Sequence, residues 1–257
     1  MIPILIGLAM IGIGVFLYFN RRNALNKALE VKYQETSKVI DIIDTYKQIG
    51  GELGAGHYNG GLVEIKGLCT AKQPLIAEHS QQAVVYYQAT VERKYEVTEQ
   101  QRDSNGNYRT VTSTRTETLS SNTRSIPFYL NDGSGAEVLV DMEGASIDAL
   151  QTFDRFENDA PSGFNSSWGS DSRTLGYSYR EKSIPVNTRL YVLGEIADRR
   201  GEIAVVKSAE KGKPFIVSVK SEEQIVKSAE SSAQWQLIGA IGLGIGGLIA
   251  IIMGLIY

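Results

Sequence analysis

Few side chains in this sequence could do metal or nucleophilic chemistry: Cys69, His57 and His79 are its whole stock of thiol and imidazole. A structural zinc site would need all three plus a carboxylate, because zinc takes about four such ligands. A Ser-His-Asp arrangement needs a histidine oriented by an acid. His57 lies in the glycine-rich stretch GELGAGHYNGG and His79 in AEHSQQ, between two strand-like segments. Neither falls in a nucleophile motif, so both read as loop histidines. GELGAGHYNGG and DGSGAE lack the Gly-Lys-Ser/Thr ending of a phosphate loop and read as linker and turn. No catalytic residue, metal or cofactor is expected. Cys69 is alone, so no intramolecular disulfide can form. The net charge of -3 and the lack of a basic stripe argue against a nucleic-acid partner.

Two features point to contacts instead. Phe164 and Trp168 sit in the polar stretch NDAPSGFNSSWGSDS, where aromatic side chains could anchor a partner or touch lipid headgroups. Gly242, Gly246, Ala250 and Gly254 recur every fourth residue and form a ridge of small side chains suited to helix packing in lipid, against the first span or another copy.

The elements that must position these residues begin with the two ends. Ile2 to Phe19 and Trp235 to Tyr257 carry no charged residue, and all 26 Lys and Arg and all 29 acids lie between Arg21 and Glu230. Each run matches the roughly 20 residues a helix needs to cross a bilayer, so two transmembrane helices are expected. Arg21 and Arg22 follow the first run, which suits an uncleaved anchor better than a signal peptide. With Lys27, Lys220 and Lys227 they flank the inner ends of both spans. In a bacterial-type plasma membrane the middle region is therefore expected in the cytoplasm.

Apolar residues at Leu25, Leu29, Val39, Ile43 and Tyr46 keep a helical spacing that predicts a membrane-proximal helix over 21–50. A glycine-rich linker over 51–61 follows. Segments rich in β-branched and aromatic residues then predict strands, among them GLVEIKGLC, AVVYYQATVERKYEV, SIPFYL, AEVLVDM, TRLYVLGEI, EIAVVKSA and FIVSVK. Asn105-Gly106 predicts the turn of a long hairpin, Val84 to Leu119, whose far end stands in solvent. Ile147, Leu150, Phe153 and Phe156 keep helical spacing in SIDALQTFDRFE, so that segment reads as helix. Ser221 begins a further helix with Glu222 and Glu223 in its first turn. The expectation is a mainly β (α+β) chain with an antiparallel, barrel-like sheet and flanking helices between two transmembrane α-helices. Its segments are an anchor over 1–20, the helix and linker above, a β domain over 62–220, a helix over 221–234 and a second span over 235–257.

In order, GGLVEIKGLCTAKQPLIAEHSQQAVVYYQATVERKYE, RSIPFYLNDGSGAEVLVDMEGA, GYSYREKSIPVNTRLYVLGEI and PFIVSVKSEEQIVKSAESSAQW form one pattern. It resembles the GIDE, or beside-a-membrane (BAM), domain of membrane-embedded RING-type E3 ubiquitin ligases, including the mitochondrial one. Gly61 to Gly67, Tyr86-Tyr87, Pro127-Phe128, Arg180-Glu181 and Leu190 to Glu195 carry the strongest agreement. The resemblance implies a domain between two membrane helices, with a cytosolic RING after the second. A RING binds two zinc ions through about eight Cys and His ligands, and Cys69, His57 and His79 fall far short of that. The family's ligase chemistry therefore maps onto no residue of this sequence. What the resemblance implies here is the architecture and a recognition or scaffold role beside the membrane, without catalysis. Two alternatives stand: a component of an E3 ubiquitin-protein ligase system that takes its RING from another chain, and a membrane hydrolase acting through His57 or His79. The expected partners are the lipid bilayer, an unidentified protein docked on sheet edges or the hairpin, and further copies of this chain.

Overall fold

The computed structural model of the chain describes residues 2–53, 58–102, 106–161, 172–199 and 201–256. Two helices come first, α1 (Ile2–Tyr33) and α2 (Val39–Leu53). The strands up to the turn before the fifth are β1 (Asn59–Thr70), β2 (Leu75–Ile76), β3 (Ala83–Arg102) and β4 (Tyr108–Ser125). Next come β5 (Phe128–Asn131), β6 (Glu137–Val140), β7 (Ser146–Asp148) and β8 (Leu150–Glu157). Then follow β9 (Ser172–Pro185), β10 (Arg189–Arg199), β11 (Glu202–Val206) and β12 (Ile216–Ser218), and α3 (Glu222–Ile256) closes the series.

Five strands close into a barrel in the order β1-β5-β6-β11-β10, because β1 also pairs with β10. The neighbours are antiparallel except β6 with β11, and β12 and β7 continue the sheet off β10 as a parallel pair. Closure leaves β1 to change partner near its C-terminal end. It runs beside β10 up to Leu68 and beside β5 from Leu68. Just before that switch the backbones converge, and a Cβ on Gly67 would stand 2.5 Å from the Asn131 carbonyl oxygen. The strands are apolar on their inner faces, and Ile65, Phe128, Leu130, Val192, Ile196 and Val205 are fully buried together. Each such side chain stabilises the fold by about 1.5–3 kcal/mol.

The second sheet runs β4-β3-β9-β8, with short β2 on β3 beyond the end of β4. The β3–β4 hairpin is there as predicted. Its pairing runs from Tyr86↔Ser125 to Arg102↔Tyr108, whereas β9 accompanies β3 only as far as Val97. The last turns of the hairpin are thus two strands alone. Asn105 lies outside the described residues, and Gly106 adopts φ +89°.

Helices α1 and α3 pack antiparallel, with Gly7 against Gly247 and Gly14 against Ala240. Both are long and apolar enough to cross a bilayer, as an integral membrane protein requires. At about 1.5 Å per residue they reach roughly 50 Å, well beyond a ~30 Å hydrocarbon core. Their inner ends therefore stand on the domain, where Val31, Ile225 and Val226 pack with Tyr191, Leu193 and Ile216. Ser221 and Gln224 cap α3 reciprocally: Gln224 N donates to Ser221 Oγ and Ser221 N donates to Gln224 Oε1.

Three expectations need correction. The helix over 21–50 is two helices, because Gln34 to Lys38 leave helical geometry to bond β1. Ser37 N donates to Glu64 O, and Gln34 Nε2 donates to Leu62 O. The linker over 51–61 is shorter than expected: α2 runs on through Gly50 and Gly51 to Leu53, and β1 starts at Asn59, with 54–57 outside the described residues. The helical spacing at Ile147, Leu150, Phe153 and Phe156 belongs to two strands, β7 and β8. A strand change at Ala149 and a bulge between Gln151 and Phe153 each add a residue, which makes threes of the steps from Ile147 to Leu150 and on to Phe153, while Phe156, with no further bulge, falls on the face opposite Phe153.

Candidate functional site

Sheet two brings one expected residue to an informative place. His79 lies in the loop between β2 and β3, and its ring sits 5.6 Å from the rings of both Phe153 on β8 and Tyr179 on β9. Its Nε2 is buried without a hydrogen-bond partner. Ser80 and Glu181 lie beside it, so serine, histidine and an acid do meet. Their bonds run in the wrong order for a triad. Ser80 Oγ donates straight to Glu181 Oε1 at 2.6 Å, and His79 contributes its backbone N to Glu181 Oε2 at 2.7 Å. No imidazole stands between the hydroxyl and the carboxylate, and Glu181, held below its ordinary pKa by its donors, is a weak base for Ser80.

Glu181 itself is fully buried. Burial pushes its pKa up. Donors from Ser80 and His79, and from Thr152 Oγ1 at 3.0 Å, outweigh that and hold the carboxyl below its ordinary value. Its work is structural: it ties the 77–82 loop to β8 and β9.

The outer parts of this sheet are available for contact. β4 and β8 each have a strand neighbour on one side only, β3 and β9 respectively, among the described residues. The hairpin root is fastened by Arg93 of β3, which is buried. Its Nε donates to Thr174 Oγ1 at 2.8 Å, its Nη2 to Ser172 Oγ at 3.1 Å, and its Nη1 lies 3.7 Å from Glu117 of β4. The guanidinium also stacks over Tyr95, 4.4 Å from the ring centre. This side chain joins three strands and fixes the direction in which the free hairpin end projects.

A second polar cluster joins the barrel to the membrane helices. Glu64 of β1 is fully buried and accepts from Thr36 Oγ1 at 2.6 Å, Tyr191 Oη at 2.9 Å and Lys66 Nζ at 3.0 Å. Lys66 Nζ continues to Glu222 Oε2 at 2.8 Å, in the first turn of α3. Burial and then the Glu64 carboxylate push the Tyr191 phenol up. Burial pushes Lys66 down, but Glu222 and Glu64 outweigh it and hold the ammonium above its ordinary pKa. A cavity of about 220 Å³ adjoins this cluster, lined by Lys66, Arg189, Tyr191, Lys220, Ser221 and Glu222. The cluster contains a fixed cation, a protonated phenol and a satisfied carboxylate, which hold structure and offer no nucleophile. Sequence reasoning missed it, although an acid amid the apolar residues of GLVEIKGLC was a usable signal.

The expected contact residues fall differently. Phe164, Trp168 and His57 lie outside the described residues. Of the small-residue ridge, a Cβ on Gly246 would stand 2.8 Å from Met10 Cε, and one on Gly254 2.8 Å from Ile4 Cγ1, both on α1. Gly242 faces open space, and Ala250 is partly buried. Cys69 is buried in the barrel core, donates from Sγ to Pro185 O, and has its thiol pKa pushed up by burial. Among the described residues, no three His, Cys, Asp or Glu side chains gather where they could hold a metal.

A family model named GIDE and described as E3 ubiquitin ligase matches residues 96–252, from the hairpin to near the end of α3. No curated protein and no solved structure matches the chain.

Proposed function

The chain belongs to the GIDE family, described as E3 ubiquitin ligase, and from that premise we propose a membrane-anchored recognition module whose second sheet docks a protein partner. One observation carries the reading: among the described residues β4 offers an 18-residue edge with β3 alone as its neighbour, on a hairpin that outruns the rest of the sheet. An extended peptide can add to such an edge through main-chain hydrogen bonds. The threonines and arginines of β4 keep the edge soluble while it waits, as charged and polar edge strands do. Phe164 and Trp168 are further candidates for partner or lipid contact. The two spans seat the domain at the bilayer, and Arg21, Arg22, Lys27, Lys220 and Lys227 favour a cytoplasmic middle region. Gly246 and Gly254 serve the pairing of α1 with α3, and the open side at Gly242 is where a second copy would pack.

The test compares crosslinked pull-downs of the intact chain and of one lacking residues 99–117. Loss of the captured partner is expected from the shortened hairpin, and an unchanged partner set would sink the docking role.

The family description favours one further reading, a ligase component that takes its RING from another chain. Cys69, His57 and His79 cannot supply the roughly eight zinc ligands of a RING. Purified protein with ubiquitin-activating and -conjugating enzymes should therefore be silent alone. Conjugation should appear only when a RING-bearing chain is added, and activity without one would overturn this reading.

A further inference from the structure

One face of α3 changes character just where it meets the membrane. Gln224, the adjacent pair Lys227 and Ser228, Ser231 and Trp235 recur at three- and four-residue spacings on one face, and Lys220 and Ser232 complete an open groove of about 700 Å³. It spans roughly three turns of helix, about 16 Å. At its lower end the charge-free run of α3 begins with Trp235, which is 71% exposed. No acidic side chain lines the groove. Lys227 is exposed and makes no hydrogen bond or ion pair among the described residues. Lys220 Nζ shares its charge with Asp148 Oδ1 at 2.9 Å, a pair open to solvent.

We propose that this groove binds the headgroup of an anionic glycerophospholipid, with the phosphate between Lys227 and Lys220 and Trp235 at the acyl boundary. Charge complementarity selects this occupant. Two lysines line the groove, Lys227 with no ion pair among the described residues and Lys220 with a solvent-exposed one to Asp148 outside the lining, which suits a lipid with net negative charge over a zwitterionic one, whose terminal cation would meet like charge. The hydroxyls of Ser228, Ser231 and Ser232 supply donors for phosphate oxygens. The indole marks the interface, where tryptophan combines an apolar body with a polar N–H. A soluble phosphate offers the same oxygens but nothing to bury beside Trp235. The inference rests on α3 crossing the membrane and is independent of the docking role of the hairpin.

The experiment uses the full chain carrying Trp168→Phe, so that Trp235 is the sole indole. It is reconstituted in bilayers containing a small fraction of brominated phosphatidylglycerol or, separately, brominated phosphatidylcholine. Phosphatidylglycerol should quench Trp235 at lower mole fraction, with a preference of about fivefold for each lysine at low salt. Lys227→Gln, at an exposed and unbonded position, should lower that preference several-fold with the melting transition unchanged. Adding Lys220→Gln should abolish it. Equal quenching by the two lipids, or a preference kept in the double variant, would overturn the proposal. So would displacement of the brominated anionic lipid by millimolar glycerol phosphate, which would mark a soluble-phosphate site. Shielding of Trp235 from both lipids, relieved by diluting the protein in the bilayer, would assign the face to a second copy and equally overturn it.

Discussion

A Cβ added to Gly7 would stand 2.6 Å from the carbonyl oxygen of Gly247, and one added to Gly247 would stand 2.7 Å from that of Gly7. The two backbones touch at this level of the membrane pair, and only glycine on both sides allows it. In lipid such contact supplies packing and dispersion where no hydrophobic force operates between helices. Gly247→Leu should push the helices apart at a cost of roughly 1–3 kcal/mol. Gly242→Leu, with open space at its Cβ position, should leave the helix pair intact. Denaturation in mixed detergent micelles reads both, and equal loss from the two variants would sink the seam through Gly247.

The turn between β5 and β6 caps a helix far from it in sequence. Asp132 Oδ2 accepts from Val39 N at 2.9 Å, and Ser134 Oγ accepts from Ile40 N at 3.1 Å, filling two orphan donors of α2. Asp132→Ala should cost about 1 kcal/mol, the typical value of an N-cap. Burial pushes Asp132 up, yet the bonds from Ser134 and Val39 hold it below its ordinary pKa. A depressed pKa gives stability that is present above the unfolded value of about 3.9 and lost as pH falls through the folded one. The melting temperature of Asp132→Ala should therefore approach that of the parent in acid, and a constant gap would count against the cap.

Much of this fold was legible in the sequence, and the failures have physical causes. The barrel strands declared themselves through runs such as LYVLG and IAVV, because both their faces are buried or covered. The hairpin was visible through Asn105-Gly106. β8 was not: its bulge re-phases Phe153 against Leu150, and a strand of uneven phase imitates a helix. The break after Tyr33 was hidden because its cause lies in β1, more than two dozen residues away, where Leu62 and Glu64 offer the bonds that end the helix. The buried polar clusters were equally out of sight. Glu181 stands in a sequence of mixed polarity, and nothing local tells that Ser80 and Thr152 fold over it.

Glu181 should set part of the acid sensitivity of the second sheet. Its carboxylate is held below the ordinary glutamate pKa, so its stabilisation is present above about pH 4.3 and is lost as pH falls through the folded value. Glu181→Gln turns one acceptor oxygen into a donor facing donors, and should cost about 2–3 kcal/mol near neutrality. Chemical denaturation at about pH 6 and about pH 3 should show that cost shrinking with acid. A cost independent of pH would mean that volume and shape, not charge, are what the site requires of Glu181.

Glu64 should behave as a joint hub between the anchors and the barrel. Thr36 reaches it from the α1–α2 connection, Tyr191 from β10, and Lys66 carries it on to Glu222 of α3. Tyr191→Phe removes one charge-assisted donor and should cost about 1.5–3 kcal/mol; Thr36→Val removes another and should cost a similar or smaller amount, since Thr36 is nearer solvent. After either change two donors still hold the carboxylate. After both, Lys66 alone faces a buried charge, so the double variant should lose more than the sum of the single losses, by about 0.5–3 kcal/mol. Chemical denaturation of the four proteins in the cycle measures that excess. Losses that add within about 0.5 kcal/mol would separate Thr36 from Tyr191 and reduce the cluster to independent contacts, leaving the apolar packing of Val31 and Ile225 on Tyr191 and Leu193 as what couples the membrane pair to the domain.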